Sequence, residues 1–151
     1  MVLDWGDSVA MLLHDTKRDE IVLVGQARVA TGGKILELPA GKVDKGETAV
    51  ESAKREMKEE TGAEAQTVQH IFTFYLSPGI LTEKLHLFYC PFPTGLQVSD
   101  KGGLEEEGED IEIHKIGLGK ALGMVRRGQI MDAKTILAIL WLSNLKADNA
   151  L

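Results

Sequence analysis

Three glutamates, Glu56, Glu59 and Glu60, stand close together in the segment Gly41–Ala63, G-K-V-D-K-G-E-T-A-V-E-S-A-K-R-E-M-K-E-E-T-G-A. At about 100° per residue, an α-helix brings all three within an arc of about 100°. Carboxylates crowded on one arc repel one another unless lysines, arginines or a bound cation compensate. Hard divalent cations such as Mg²⁺ favour such an oxygen-only donor set. The alternative is a solvated helix face, with Lys54 and Lys58 interleaved among the acids and Arg55 to Glu59 an ordinary i,i+4 pair. Composition by itself favours the solvated face.

The helix that must carry these acids has its own boundary signals. Thr48 with Glu51 three positions later makes a capping-box start, and Gly62 is a C-terminal stop. Upstream, Lys42 to Gly46 have turn composition, so the segment reads as a glycine-bounded loop followed by a helix. Ala49, Val50, Ala53 and Met57 form an apolar stripe beside the carboxylates, which places one edge of the helix in the core.

The spacing carries more than the composition. Gly41, five residues, Glu47, seven residues, then Arg55-Glu56-Met57-x-Glu59-Glu60-x-Gly62-Ala63 resembles the Nudix box without a departure. The resemblance implies a loop–helix–loop that holds a divalent metal, Mg²⁺ or Mn²⁺, against a diphosphate while water cleaves a nucleoside diphosphate linked to another group. Matched position by position, it makes Glu56 and Glu60 direct metal ligands and Glu59 a ligand or its catalytic partner. It pairs Glu47 with Arg55 to brace the loop, brings the Ala40 carbonyl within reach of a metal, and gives Gly41 and Gly62 structural roles at the ends.

The remaining elements must form the frame. Ser8–His14 and Glu20–Arg28 are apolar, β-prone runs separated by the turn sequence D-T-K-R-D, which predicts a hairpin. Ile35–Gly41 is a third strand that should stop at Pro39, which lacks a ladder donor. Within it Glu37 is either the outward position of an alternating strand or a carboxylate facing a site. Strands follow at Gln66–Leu76 and Lys84–Cys90, joined by S-P-G-I-L-T-E. A long polar loop covers Pro93–Glu109, and Asp110–Ile116 alternates as a last strand. Leu118–Arg127 is a short helix stopped by Gly128, and Asp132 caps a final helix through about Lys146. Ile136, Leu137, Ile139, Leu140 and Leu142 of that helix are expected in the core. The order gives an α/β (α+β) fold, a mixed β-sheet with helices packed on it, in agreement with the α/β/α sandwich that the Nudix resemblance implies.

Outside the box the resemblance is to the branch of ADP-ribose pyrophosphatases and nucleoside diphosphate sugar hydrolases. Arg28 ends its strand as a surface arginine or as a planar fork for phosphate, and Q-x-R looks like the strand end that supplies a substrate-binding arginine in that branch. Pro78 lies 15 residues beyond the box, where that branch has a proline. The segment S-P-G-x-x-x-E then makes Glu83 a candidate for substrate or metal-water contact. L-E-E-E-G-E-D-I resembles the loop that supplies the catalytic base, with Glu107 the first choice and Glu109 the second; a mobile carboxylate arriving with substrate suits that task. The branch usually begins with extra strands that support a homodimer and help hold the base. Here Met1–Asp7 precede the first core strand, and Trp5 is either a substitute stacking residue or part of a fraying end.

Composition bounds the function. At 151 residues the chain reads as one domain, 1–151, and its net charge of −6 argues against a general nucleic-acid surface. Any phosphate is then neutralised locally. Cys90, the single cysteine, sits in the apolar run L-H-L-F-Y-C as a buried thiol and fits a reducing compartment. No apolar run spans a bilayer and the N-terminus lacks a signal-peptide pattern, which gives a cytoplasmic, membrane-free expectation. His14, His70, His86 and His114 form no zinc-like pattern. The expected activity is hydrolysis of ADP-ribose or a related nucleoside diphosphate sugar to NMP and sugar phosphate. Two other readings stand beside it: an enzyme of the same fold acting on nucleoside triphosphates or dinucleoside polyphosphates, and a non-catalytic nucleotide-binding module.

Overall fold

In the computed structural model, which describes residues 1–104, 106 and 110–149, the run Val9–Leu13 is buried on both sides of a sheet. Val9, Met11 and Leu13 face one apolar cluster, and Ala10 and Leu12 face the other. Strands covered on both faces read as continuous rather than alternating apolar runs, which is the pattern here.

The elements in chain order are β1 (Ser8–Asp15), β2 (Glu20–Arg28), β3 (Gly33–Glu37), β4 (Ala40–Lys42), α1 (Ala49–Thr61), β5 (Gln69–Tyr75) and β6 (Lys84–Phe92). They continue with β7 (Lys101–Gly102), β8 (Ile111–Gly117), α2 (Leu118–Arg126) and α3 (Ala133–Asn149). Among the described residues the sheet has eight strands, ordered β5-β6-β1-β2-β8-β7, with β3 on β2 and β4 on β1. It is mixed, because β1 runs parallel to β6 and the other pairs are antiparallel. Ala53 and Met57 of α1 pack into the first cluster, while Leu118 and Ala121 of α2 and Ala138, Ile139 and Leu142 of α3 pack into the second. Helices therefore cover both faces, as the sandwich requires.

The predicted hairpin exists only at its closed end. His14 pairs with Ile21 and Asp15 with Glu20, after which the strands part. β4 takes the open end of β1, and β3 takes that of β2. Buried Asp15 holds the closed end: its carboxylate accepts from the amides of Lys17 (3.0 Å), Arg18 (2.9 Å) and Leu96 (3.0 Å). The strand expected over Ile35–Gly41 breaks at Leu38-Pro39 into β3 and β4, because proline cannot continue the ladder. The Pro39 carbonyl instead accepts from Met11 N–H at 2.9 Å. The long polar loop contains a strand the sequence did not signal, β7, whose pairing with β8 comes from its position rather than from apolar residues.

Two apolar assignments need correction. Val50 is 39% exposed, and the buried face of α1 runs instead through Ser52, Ala53, Met57, Glu60 and Thr61. On α3, Leu140 is 42% exposed, whereas Lys134 and Thr135 are buried. The N-terminal segment is docked at Leu3, whose N–H donates to the Ile80 carbonyl (2.7 Å) and whose carbonyl accepts from Thr82 N–H (3.1 Å). No helix among the described residues is long and apolar enough to cross a membrane.

The two neighbours on α3 give a direct test of which face is core. Ile139→Ala should cost about 2–5 kcal/mol by leaving a cavity, and Leu140→Ala should stay within about 1 kcal/mol. Urea-denaturation midpoints of the two variants measure the difference.

Candidate active site

Helix α1 starts as its sequence signals. Thr48 Oγ1 accepts from Glu51 N–H (3.2 Å), and the Glu51 carboxylate accepts from Thr48 N–H (2.7 Å). It ends at Gly62, which is left-handed (φ 75°) and donates its N–H to the Lys58 carbonyl at 2.9 Å. Between these caps Arg55 is the hub. Its Nε donates to Glu47 at 2.9 Å, Nη1 to Glu56 at 2.8 Å and to Glu59 at 3.2 Å, and Nη2 to the Lys42 carbonyl at 3.1 Å. Nη2 also lies 3.2 Å from Asp44. Partial burial works against its charge, but Glu56, Glu47 and Asp44 hold the guanidinium more firmly protonated than an ordinary arginine. The predicted brace between Glu47 and Arg55 is present, and Ser52 Oγ fixes the Glu47 carboxylate from the other side (2.9 Å).

The backbone of β4 forms the floor on which the acids rest. A Cβ on Gly41 would stand 2.0 Å from Glu56 Cδ, so only glycine lets that carboxylate lie against the strand. Glu60, 4% exposed, accepts the Ala40 N–H at 3.0 Å. Among the described residues no group of acids, histidines or cysteines is already drawn together as a metal cage. Arg55 and the Ala40 amide hold the carboxylates where they are. The donor set is nevertheless all oxygen and anionic, and the Gly41 cradle places it at the surface of a cavity. That chemistry fits a hard divalent cation.

A second charged group has its cations on β2 and α3. Glu37, 4% exposed, accepts from Arg28 Nε (2.7 Å) and Nη2 (3.3 Å), and from Lys134 Nζ (2.7 Å). Lys134 Nζ also meets Asp132 at 3.1 Å. The same Asp132 caps α3, accepting from Thr135 N–H (3.2 Å) and Thr135 Oγ1 (2.6 Å), and Thr135 Oγ1 accepts from Leu38 N–H (2.9 Å). Burial pushes the Glu37 carboxyl up, but the hydrogen bond from Arg28 and the charge of Lys134 outweigh it and hold the group below the usual carboxylate range. Glu37 thereby faces inward and fixes two cations.

Both groups meet in one cavity of about 550 Å³. Its walls carry Glu56, Glu59, Glu60, Arg55, Ala40 and Gly41 together with Arg28 and Lys134. Trp5, Leu76, Ser8 and Glu83 also line it. Glu83 is 8% exposed and accepts a hydrogen bond from Ser8 Oγ. Lys42 Nζ sits 3.7 Å from the centroid of the Trp5 ring and donates to the Trp5 carbonyl (3.1 Å).

The NUDIX domain family model matches residues 4–122. The chain belongs to the Nudix family. GDP-mannose pyrophosphatase of Escherichia coli is 37% identical over 147 residues, covering 93% of this chain and 75% of that protein. GDP-mannose pyrophosphatase of Shigella flexneri is 36% identical over the same spans. Among solved structures, one titled "Crystal structure of ADP compounds hydrolase" superposes with a TM-score of 0.78 at 20% identity, covering 96% of this chain and 75% of that one. At that identity the match shows the fold alone. Nudix hydrolases generally need a divalent metal.

Against the Nudix expectations, the structure brings Arg28, Ala40, Gly41, Arg55, Glu56, Glu59, Glu60 and Glu83 to the cavity. Glu37 and Glu47 act from behind it, through Arg28 with Lys134 and through Arg55. Pro78 is not brought there: it lies in an exposed turn in which Ser77 O accepts from Ile80 N–H (3.1 Å) and Leu81 N–H (2.8 Å), and it does not line the cavity. Its place in the sequence shapes the turn on which Leu3 docks. Glu107 and Glu109 lie outside the described residues. Cys90 is buried, and burial pushes its thiol up to about 12, which removes it as a nucleophile at neutral pH. Lys134 was missed by sequence reasoning. One signal was available, since a lysine in the first turn of a helix opposes the macrodipole and needs another partner.

Glu37 makes the site pH-dependent in a defined direction. Its carboxyl binds protons less tightly folded than unfolded, so its contribution is complete above the ordinary glutamate range and is lost as pH falls through the lowered folded value. Glu37→Gln should lose about 3 kcal/mol at pH 7, because it leaves buried Lys134 short of a counter-charge. Urea midpoints across the acid range should show the gap between variant and wild type narrowing as pH falls.

Proposed function

We propose that residues 1–151 act as one Nudix hydrolase domain that cleaves the diphosphate of a nucleoside diphosphate sugar, giving a nucleoside monophosphate and a sugar phosphate. The observation that carries this reading is the meeting, in one cavity, of a carboxylate cluster cradled on glycine with two fixed cations. The similarity to GDP-mannose pyrophosphatases over nearly the whole chain supports the sugar-linked class, with ADP-ribose a further member of it.

Glu56 and Glu60, with Glu59 beside them and the Ala40 carbonyl within reach, are the residues that would hold Mg²⁺ or Mn²⁺. A cation bound there neutralises phosphate oxygens and lowers the pKa of bound water. Arg28 and Lys134, oriented by Glu37, take the remaining anionic oxygens of the diphosphate, Arg28 through its planar fork. Glu83, held by Ser8, accepts from hydroxyl or amine donors of the substrate or from water. Hydrolysis adds one water across the P–O–P bond, and the proton released goes to a carboxylate base. Glu107 is the first choice for that base and Glu109 the second, on the strength of the loop's resemblance. The partner is thus a small nucleoside diphosphate-linked molecule.

Chromatography of the products tests the reading, resolving the nucleoside monophosphate and the second phosphorylated product released from each substrate. With Mg²⁺, GDP-mannose, ADP-ribose or UDP-glucose should turn over, and Glu60→Gln should lower that turnover by about 100-fold. Turnover of nucleoside triphosphates or dinucleoside polyphosphates alone would move the protein to another Nudix activity. Binding of these nucleotides without turnover would make it a binding module.

A further inference from the structure

The end of α1 is gripped from two directions. On one side β4 meets it through Gly41 and the Ala40 amide. On the other side stands the segment 96–103, far from the Nudix box in sequence. Leu96, 2% exposed, roots that segment in the apolar cluster beneath α1. Ser99 N–H then donates to the Thr61 carbonyl (2.8 Å), and Gly103 N–H donates to the Glu59 carbonyl (3.2 Å). The last carbonyls of a helix have no partners within it, so these two bonds cap the turn that bears the acids.

Between the two bonds lies Gly102. A Cβ there would stand 1.6 Å from the Glu60 carbonyl oxygen and 2.5 Å from its carbonyl carbon. The obstacle is backbone, which cannot swing aside as a side-chain tip would. Gly102 is also paired with Ile111 in the sheet, and Ile111 is fully buried. The contact therefore fixes the last turn of α1 relative to the sheet edge.

We infer that Gly102 is a positioning residue for the carboxylate cluster, setting through the backbone of Glu60 where the Glu59 and Glu60 side chains stand. It is the counterpart, outside the box, of Gly41: one glycine admits the Glu56 side chain, the other admits the Glu60 main chain. This rests on the reading of Glu56, Glu59 and Glu60 as the metal-holding residues.

The experiment is Gly102→Ala, with Glu60→Gln in parallel, each titrated with Mn²⁺ by calorimetry and assayed at saturating metal. Gly102→Ala should weaken Mn²⁺ binding by about 10- to 100-fold. Displacement of about 1 Å in the acids should also lower kcat by about 100-fold while leaving the substrate KM within twofold. A variant that only melts earlier, with unchanged Mn²⁺ affinity and kcat below its melting temperature, would overturn the inference. If Gly102→Ala does not fold, hydrogen exchange on the wild-type chain decides, since coupling is reciprocal. Adding Mg²⁺ should slow exchange of the Ser99 and Gly103 amides, and no slowing would overturn the inference. Glu60→Gln separates the two failures. If it binds Mn²⁺ as tightly as wild type, the reading of the metal site fails and this inference with it; if it loses Mn²⁺ while Gly102→Ala keeps it, the inference alone fails.

Discussion

Glu56, Glu59 and Glu60 occupy barely more than one turn of helix, and like charges at that spacing destabilise the helix that carries them. The guanidinium of Arg55 offsets this repulsion with contacts to Glu56 and Glu59, while its other edge reaches Glu47, Asp44 and the Lys42 carbonyl. The one side chain thus ties the loop before α1, the end of β4 and two of the three acids into a single unit. A lysine carries the same charge but lacks the planar fork needed to hold several acceptors in fixed directions. Glu60 is held from the strand side by the Ala40 amide.

The same compensation recurs around Glu37, with signs reversed: a buried carboxylate holds two cations in place. Charges taken out of water are stable only when paired and hydrogen-bonded, and Glu37 meets that condition through Arg28 and Lys134. A protein with net charge −6 thereby presents fixed positive groups where an anionic ligand would enter. Overall charge governs long-range attraction, whereas local pairs decide what a cavity accepts.

The sheet is what joins the two groups. β1, buried on both faces, separates the cluster under α1 from the cluster under α2 and α3, and its open end receives β4. Breaking the third strand at Pro39 lets β3 stay with β2 while β4 crosses to β1, which carries Glu37 and Gly41 to different neighbours. Lys134, 97 residues from Glu37, arrives only because α3 packs back across the sheet.

The sequence by itself determined the local features. Thr48, Glu51 and Gly62 set the helix ends because capping depends on residues within one turn, and the fixed spacing of Gly41, Glu47, Arg55 and the acids identified the Nudix box. Most of the helix and strand order followed from periodicity, and the resemblance to the family implied the sandwich. The tertiary structure alone decided which contacts join distant segments. It exposed Val50 and Leu140, since the buried arc of a helix depends on what packs there; it parted the predicted hairpin, since β4 takes the edge of β1, and β3 the edge of β2, that the hairpin would have used; it left Pro78 at an outer turn. It also turned Glu37 inward, a choice that strand alternation left open because either face of a doubly covered sheet can hold a charge once a counter-charge arrives. Lys134 and Gly102 owe their roles to residues far away in the chain, and such pairings have no periodicity for a sequence to display.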